Sequence, residues 1–308
     1  MKKGRIRFLA EGEAPPLPGW TRLLPAAWRE YYTRSRSPYH IEEQAGVWEG
    51  ILHTRKEGIT GDGWRQNATA LLDEMRQNGV GIVMPPAEGE FPQEGLPFAE
   101  GRKITSVFAF AGAAEALRRK GTEPAQASYL IAGGEPWLWE QAFSSMGNEV
   151  NRLSIYTEQK RAAEAVAERL YEECGLLVEV FSSPKNPAFA KADAILSCGL
   201  EQRSYEHILK QGCFWLDLAG NRPALRRLVR LRPDITAAEG FYFHTASEEG
   251  QTEGREAEAD AYISCPVFRQ CWKQDNNSGV EAFGELSAMG YRVSGFSALG
   301  KRVKVSKR

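Results

Sequence analysis

Short apolar runs alternate with helix-like segments from residue 128 to residue 231, and this alternation limits the fold more than any other feature of the sequence. A short apolar run between two helical segments is typical of a buried parallel strand. Connections between such strands are right-handed crossovers. The fold class is therefore predicted to be α/β, with a six-stranded, doubly wound parallel sheet of Rossmann type. Its clearest strands are expected at residues 128–132, 153–157, 176–181, 192–197 and 213–218, with helices at 107–120, 136–146, 158–174, 202–210 and 223–230.

The first 104 residues differ from this part, because they are rich in glycine, proline and tryptophan. A helix is predicted at 64–77, where Leu71, Leu72 and Met75 share one face, and a strand is predicted at 80–84. This part is expected to be a small α/β domain.

The chain is thus predicted to have three parts, at residues 1–104, 105–263 and 264–308. The last is an extension that packs on either domain, with a helix at 265–273 and a β-hairpin at 291–305. The acid-rich segment 248–260 is expected to be a solvated loop.

Charge and cysteine usage exclude several classes of protein. The 39 Lys and Arg nearly cancel the 40 Asp and Glu, so no nucleic-acid partner is expected, because binding phosphates requires a basic excess. Residues 1–16 lack the apolar run of a secretory signal, and no segment is apolar enough to span a membrane. The five cysteines have neither disulfide nor zinc spacing. We expect a cytoplasmic protein without a metal and without a membrane partner.

A glycine pair follows the first predicted strand of the parallel sheet. A dinucleotide site needs glycines at this turn, so that the backbone can approach the pyrophosphate. Here Gly133 and Gly134 are present, but the third position of the motif falls near Leu138. Glu135 places a negative charge at the turn, and Pro136 removes an N–H that would face a phosphate. Two interpretations stay open: a bound dinucleotide, or a helix N-terminus that only packs.

The end of the second strand carries Thr157 and Glu158, about 20 residues beyond the glycine pair. An acid at this position can accept hydrogen bonds from both ribose hydroxyls, which favours NAD over NADP. Alternatively, Thr157 caps the following helix and Glu158 interacts with its dipole. Lys160 and Arg161 lie close enough in sequence to bind a 2′-phosphate, so NADP stays open as the cofactor.

The order of these parts resembles the shikimate and quinate dehydrogenase family. The motifs that carry the resemblance are Ser35-Arg36-Ser37-Pro38, the segments 81–87 and 192–199, the strand ending in Asp217, and the segment 236–241. The nucleotide half also resembles glutamyl-tRNA reductase and acyl-carrier-protein reductases.

The resemblance implies an N-terminal substrate domain followed by an NAD(P) domain, in a monomer or homodimer. It implies that Ser35 and Ser37 bind the carboxylate of a small-molecule substrate, and that Cys198 and Gly199 line the cofactor site together with Gly133, Gly134, Thr157, Glu158 and Arg161.

The departures from the family concern its proton-transfer residues. The family's lysine falls on Ala87, and the segment 105–109, where its aspartate is expected, has no acid. Oxidation of a secondary alcohol needs a base for the hydroxyl proton, so oxidation of shikimate itself is not expected. The catalytic residues stay unknown. His40 and His244 are conceivable bases, but each also fits a histidine that only makes structural hydrogen bonds.

Three hypotheses follow from the sequence. The preferred one is an NAD(P)-dependent oxidoreductase with an altered, unknown substrate. The second is a non-catalytic descendant of such an enzyme that binds a ligand or a protein. The third is a thioester reductase that uses Cys198, which requires an exposed thiol of lowered pKa.

Overall fold

The structure is a computed structural model and describes residues 1–9, 19, 23–25, 27–29, 38–53, 62–86, 91, 95–147, 150–183, 185–200, 205–245, 250–271 and 279–305. The chain divides into two compact units. The first contains residues 1–100 and 262–264, and the second contains residues 101–261 and 265–308. This division falls four residues before the predicted boundary at 104, and residues 265–308 belong to the second unit.

The described part of the first unit contains a four-stranded mixed sheet with the strand order β2-β3-β1-β4. Strands β2 and β3 form an antiparallel hairpin, and β1 runs parallel to both β3 and β4. Helix α1 packs Leu71, Leu72 and Met75 into the core of this unit, on the face that the sequence predicted. The elements are β1 (Lys2–Phe8), β2 (Tyr39–Gln44), β3 (Val47–Leu52), α1 (Asp62–Gln77) and β4 (Val80–Met84).

The described part of the second unit contains a six-stranded sheet in which every neighbouring pair is parallel. The strand order is β10-β9-β8-β5-β6-β7. Read from the other edge this is the Rossmann order, with the chain starting in the middle and winding to both sides. The predicted fold class is confirmed. The strands are β5 (Tyr129–Ala132), β6 (Leu153–Tyr156), β7 (Val178–Phe181), β8 (Ala194–Ser197), β9 (Phe214–Asp217) and β10 (Thr236–Ala238).

Helices connect these strands and differ from the prediction in two places. The helix predicted at 107–120 begins at Ala109, and a separate short helix, Arg102–Val107, precedes it. Residues 205–210 form turns and not the predicted helix. Arg232 donates hydrogen bonds to the carbonyls of Glu206 and Leu209, and the first of these would accept the Lys210 amide in a helix. The helices are α2 (Arg102–Val107), α3 (Ala109–Lys120), α4 (Pro136–Phe143), α5 (Lys160–Cys174), α6 (Ala188–Lys191) and α7 (Arg222–Leu231).

The end of the chain builds a third, antiparallel sheet with the order β12-β11-β13-β14. Its β13–β14 pair is the hairpin that the sequence predicted, and Gly300 takes a positive φ of 72° at its turn. The strands are β11 (Gly240–His244), β12 (Thr252–Glu253), β13 (Arg292–Ala298) and β14 (Lys301–Val303). His244 is the last residue of β11 and so lies in this sheet.

The acid-rich segment was predicted as a loop, and this was wrong for most of it. Helix α8 (Gly254–Ser264) begins inside the segment. Ala257 and Ala261 are fully buried on it, and Glu258 is also buried, with its carboxylate accepting a 2.9 Å hydrogen bond from the Ile104 amide. Buried alanines four residues apart carry a helical period that the acids hide. Helices α9 (Pro266–Gln270) and α10 (Gly279–Ala288) follow. No helix in the described ranges has the length and apolar character that a bilayer span requires.

Candidate functional site

The two central strands of the parallel sheet, β5 and β8, define its topological switch point. From β5 the chain continues towards β6, and from β8 it continues towards β9 on the other side. Ligands of such sheets bind in the crevice outside the carboxyl ends of the strands at this point. The residues that follow the two strands are Gly133 and Gly134 after β5, and Cys198 and Gly199 after β8.

The glycine turn after β5 is held by three hydrogen bonds. The Gly133 amide donates to the Tyr156 carbonyl at 2.8 Å, and the Cys198 amide donates to the Ala132 carbonyl at 2.9 Å. The fully buried Trp139 donates its indole N–H to the Gly133 carbonyl at 2.7 Å. The turn is therefore fixed from the neighbouring strands and from its own helix.

Packing between the two loops explains why both residues are glycine. Gly133 and Gly134 have φ values of 75° and 82°, which residues with a side chain rarely adopt. A Cβ at Gly134 would lie 2.1 Å from the Cys198 carbonyl oxygen, and one at Gly133 would lie 2.9 Å from that of Gly199. The glycine pair thus lets the loops after β5 and β8 come together at the switch point.

A cavity of about 190 Å³ lies beside this turn, and we call it the glycine-loop cavity. Five of the seven residues predicted to bind the cofactor line it. The side chains of Arg161 and Cys198 are not part of its lining. The predicted lining residues are Gly133, Gly134, Thr157, Glu158 and Gly199, and they are joined by Glu135, Tyr156, Gln159, Leu200 and Tyr205.

Thr157 and Glu158 have different environments at the rim of this cavity. Thr157 is buried, and its Oγ1 accepts a hydrogen bond from the Gln159 amide at 3.0 Å. Helix α5 starts at Lys160 with Gln159 at its N-cap position, so the interpretation of Thr157 as the N-cap was wrong. Glu158 is exposed at the cavity, where its carboxylate can accept hydrogen bonds from the hydroxyl groups of a ligand.

The start of helix α4 is a poor phosphate site. Pro136 is its first residue and has no N–H to donate. Glu135 occupies the N-cap without making a side-chain capping bond, and it lines the glycine-loop cavity. Leu138, at the third glycine position, is buried, whereas Trp137 is exposed. A pyrophosphate at this helix start would be repelled by the Glu135 carboxylate. It would also find one backbone N–H donor fewer than at an ordinary helix N-terminus.

Cys198 does not have the properties of a nucleophile. Its side chain is buried, and burial raises the pKa of the thiol, with the nearby charge of Asp217 acting in the same direction. Catalytic thiols are exposed and have a lowered pKa. This environment contradicts the thioester-reductase hypothesis.

Asp217, at the carboxyl end of β9, carries a perturbed carboxyl group that the sequence interpretation did not single out as a site residue. It is buried, and this burial raises its pKa from 3.8 to about 6. The Ala219 amide donates to its Oδ1 at 3.2 Å and limits the rise, as does the positive charge of Arg102. An acid that closes an otherwise apolar strand, as in Phe214-Trp215-Leu216-Asp217, was the available signal.

The predicted substrate residues and bases are only partly described. Ser35, Ser37 and Ala87 lie outside the described residues. His40 lies in β2, and its Nδ1 is 2.7 Å from Nε2 of the buried His53, so its hydrogen bond is to an imidazole. Within the described ranges, no three His, Cys, Asp or Glu side chains are placed to hold a metal ion.

No protein-family model matches the sequence, and no curated protein matches it significantly. Among solved structures, shikimate 5-dehydrogenase from Listeria monocytogenes, in complex with shikimate and NAD, is 10% identical with a TM-score of 0.35, covering 99% of this chain and 93% of that one. Quinate dehydrogenase from Corynebacterium glutamicum, in complex with NAD, is 12% identical with a TM-score of 0.36, covering 93% and 99%.

A third match is the Thermococcus litoralis Δ1-pyrroline-2-carboxylate reductase in complex with NADH and L-proline. It is 14% identical with a TM-score of 0.29, and the match covers 41% of this chain and 40% of that one. The chain thus matches less than half of that protein's length. Such distant likenesses concern the fold, and what those proteins bind does not pass from them to this chain.

Proposed function

We propose that the chain is an NAD(P)-dependent oxidoreductase whose substrate is a small carboxylate other than shikimate. The observation that carries the proposal is the glycine-loop cavity at the switch point of a sheet with the Rossmann order. In such sheets this crevice is where the dinucleotide binds. A nicotinamide cofactor, when bound, supplies hydride transfer.

The residues present fit the adenosine half of a dinucleotide best. The cavity of about 190 Å³ is smaller than the roughly 300 Å³ at the lower end of drug-sized ligand sites. Glu158 stands at its rim, where a ribose would present its hydroxyl groups. Because a 2′-phosphate would meet this carboxylate, NAD is favoured over NADP. Substrate binding by Ser35 and Ser37 remains part of the proposal.

A second candidate function is a non-catalytic binding module, and the start of helix α4 favours it. Glu135 and Pro136 place a carboxylate and a missing N–H where the pyrophosphate of a dinucleotide would sit. A protein that binds an adenosine-like ligand without phosphates would not be affected by either feature. Turnover of any hydroxy acid with NAD or NADP excludes this candidate.

The test is a calorimetric titration of the full chain with NADH and with NADPH. We expect NADH to bind more tightly. In E158R the preference for NADH over NADPH should reverse, because the guanidinium pairs with a 2′-phosphate, whereas the carboxylate that it replaces repels one. A change of tenfold or more in the ratio of the two dissociation constants is expected.

The matched control is E168R, which makes the same charge change at an exposed residue of helix α5 outside the cavity lining. It should leave the ratio unchanged. The proposal is contradicted if neither cofactor binds the folded protein at millimolar concentration, or if both variants change the ratio equally.

A further inference from the structure

A second cavity, of about 220 Å³, lies on one face of the parallel sheet between the turns at 205–209 and helix α7. We call it the lateral cavity. It shares only Leu200 and Tyr205 with the described lining of the glycine-loop cavity, and neither glycine of the turn after β5 lines it. Nothing in the proposed function uses it.

The wall of the lateral cavity is apolar and comes from three separate parts of the chain. Leu209 belongs to the turns, Trp215 to strand β9, and Leu225 and Leu228 to helix α7. All four are buried members of one hydrophobic core. Protein interiors contain few voids larger than a water molecule. An opening of this size in a core leaves its lining short of packing contacts, which a bound ligand would supply.

Side chains of helix α7 and its C-cap hold the turns in place. Arg227 Nε lies 2.9 Å from Oε1 of Glu206. Arg232, the C-cap residue of the helix, donates to the carbonyls of Glu206 and Leu209. These contacts oppose a collapse of the turns onto the helix, so the cavity is formed before any ligand enters it.

The carboxyl groups of the lining do not select a charged ligand. Asp217 accepts the backbone amides of Ala219 and Asn221. The positive charge of Arg102 also acts on it. Glu206 already has its arginine partner on α7, and its Oε2 and Asp217 Oδ2 are both closed to solvent. An ionised ligand would lose its hydration without gaining a partner in the described lining, so the cavity favours a neutral ligand.

Volume and polar groups define the size and shape of such a ligand. An apolar cavity of about 150 Å³ holds benzene. In the same proportion, a cavity of about 220 Å³ takes a ligand of about nine non-hydrogen atoms. The uncharged polar groups of the lining include the hydroxyl of Ser197 and the side-chain N–H of Asn221, whose Oδ1 caps helix α7. The lining therefore suits one aromatic ring with a short arm that ends in a hydroxyl group.

We propose that the lateral cavity binds a small neutral aromatic molecule. Its ring packs against Trp215 and the leucines of the wall, and its hydroxyl group lies at Ser197. It enters past Pro223 and Arg227, the exposed members of the described lining. The site is separate from the proposed cofactor site, so it can be tested on the full chain without a dinucleotide.

The test uses three probes of similar shape and different charge, titrated by calorimetry at pH 7.5: 2-phenylethanol, 2-phenylethylamine and phenylacetate. The alcohol should bind saturably, with a dissociation constant at or below about 1 mM. The amine and the carboxylate should each bind at least tenfold more weakly, because the cavity offers neither charge a partner. The proposal is overturned if the folded chain does not bind the alcohol saturably, or if either charged probe binds as tightly as the alcohol.

One substitution locates the binding. A224W should place an indole in the cavity from the first turn of α7 without changing any charge, so it should abolish binding of 2-phenylethanol. The matched control A165W makes the same change at an exposed residue of helix α5 and should bind the alcohol like the parent. Equal affinity in the two variants would overturn the proposal.

A second measurement serves if A224W fails to fold. In the parent chain with ¹³C-labelled leucine methyl groups, saturating 2-phenylethanol should shift the resonances of Leu209, Leu225 and Leu228. The resonances of Leu71 and Leu72, in the core of the first unit, should stay in place. Shifts confined to leucines outside the cavity lining would mean that the alcohol binds elsewhere, and the proposal would then be wrong.

Discussion

Replacing the buried carboxyl of Asp217 by an amide should stabilise the protein at neutral pH. Burial raises the pKa of Asp217 from 3.8 to about 6, so the folded state holds its proton more tightly than the unfolded state does. Such a group destabilises the folded state progressively as pH rises through this window, and the full effect is present above it. The shift corresponds to about 3 kcal/mol at pH 7.5 and to about 1 kcal/mol at pH 4.5.

The variant D217N keeps an oxygen to accept the Ala219 amide and removes the charge. Its free energy of unfolding, from urea titrations followed by circular dichroism, should exceed that of the parent by up to about 3 kcal/mol at pH 7.5. The difference should fall to about 1 kcal/mol at pH 4.5. E172Q, at an exposed site, should show no such trend. If D217N is less stable than the parent by similar amounts at both pH values, the carboxylate is stabilised by its partners, and its burial does not destabilise the folded state.

Three further predictions concern the loops around the switch point. G134A combines a strained φ with a Cβ 2.1 Å from a carbonyl oxygen, so it should lose about 3 kcal/mol of unfolding free energy or fail to fold. The control G121A has a similar φ of 81° in open space and should lose only about 1 kcal/mol in the same urea titration. Iodoacetamide at neutral pH should label the exposed Cys174, and it should reach the buried Cys198 only after unfolding. Mass spectrometry of the peptides measures both. Rapid labelling of Cys198 in the folded chain would contradict its buried environment. W139F removes the donor to the Gly133 carbonyl and should cost about 1–3 kcal/mol, and an unchanged stability would mean that the indole does not hold the turn.

The parallel sheet could be predicted because its signal is local. The central strands, such as Tyr129–Ala132 and Phe214–Asp217, are short, mainly apolar runs, and central parallel strands are buried on both faces. The glycine pair and Glu158 could also be predicted, since the chemistry of the turn fixes their positions relative to the first strand.

The remaining features of the site depend on contacts between residues far apart in sequence. The hydrogen bonds from Arg232 to the carbonyls of Glu206 and Leu209, in the turns at 205–210, join residues more than 20 positions apart. Ser197 and Asp217 meet only through the register of two strands. The pairing of His40 with His53 similarly depends on the β2–β3 hairpin. A single sequence carries no pattern for such pairs. For Asp217 it shows an acid at the end of an apolar strand, but not the burial that raises the pKa of the carboxyl.

Hydrogen exchange with mass spectrometry, with and without saturating NADH, tests the central claim most directly. If the glycine-loop cavity holds the cofactor, backbone amides in peptides covering 132–138 and 156–160 should gain protection, since these segments carry most of its lining. The antiparallel β13–β14 hairpin should not change. Protection confined to other segments, or no protection at NADH concentrations that saturate binding, would contradict the assignment of this cavity to a nicotinamide dinucleotide.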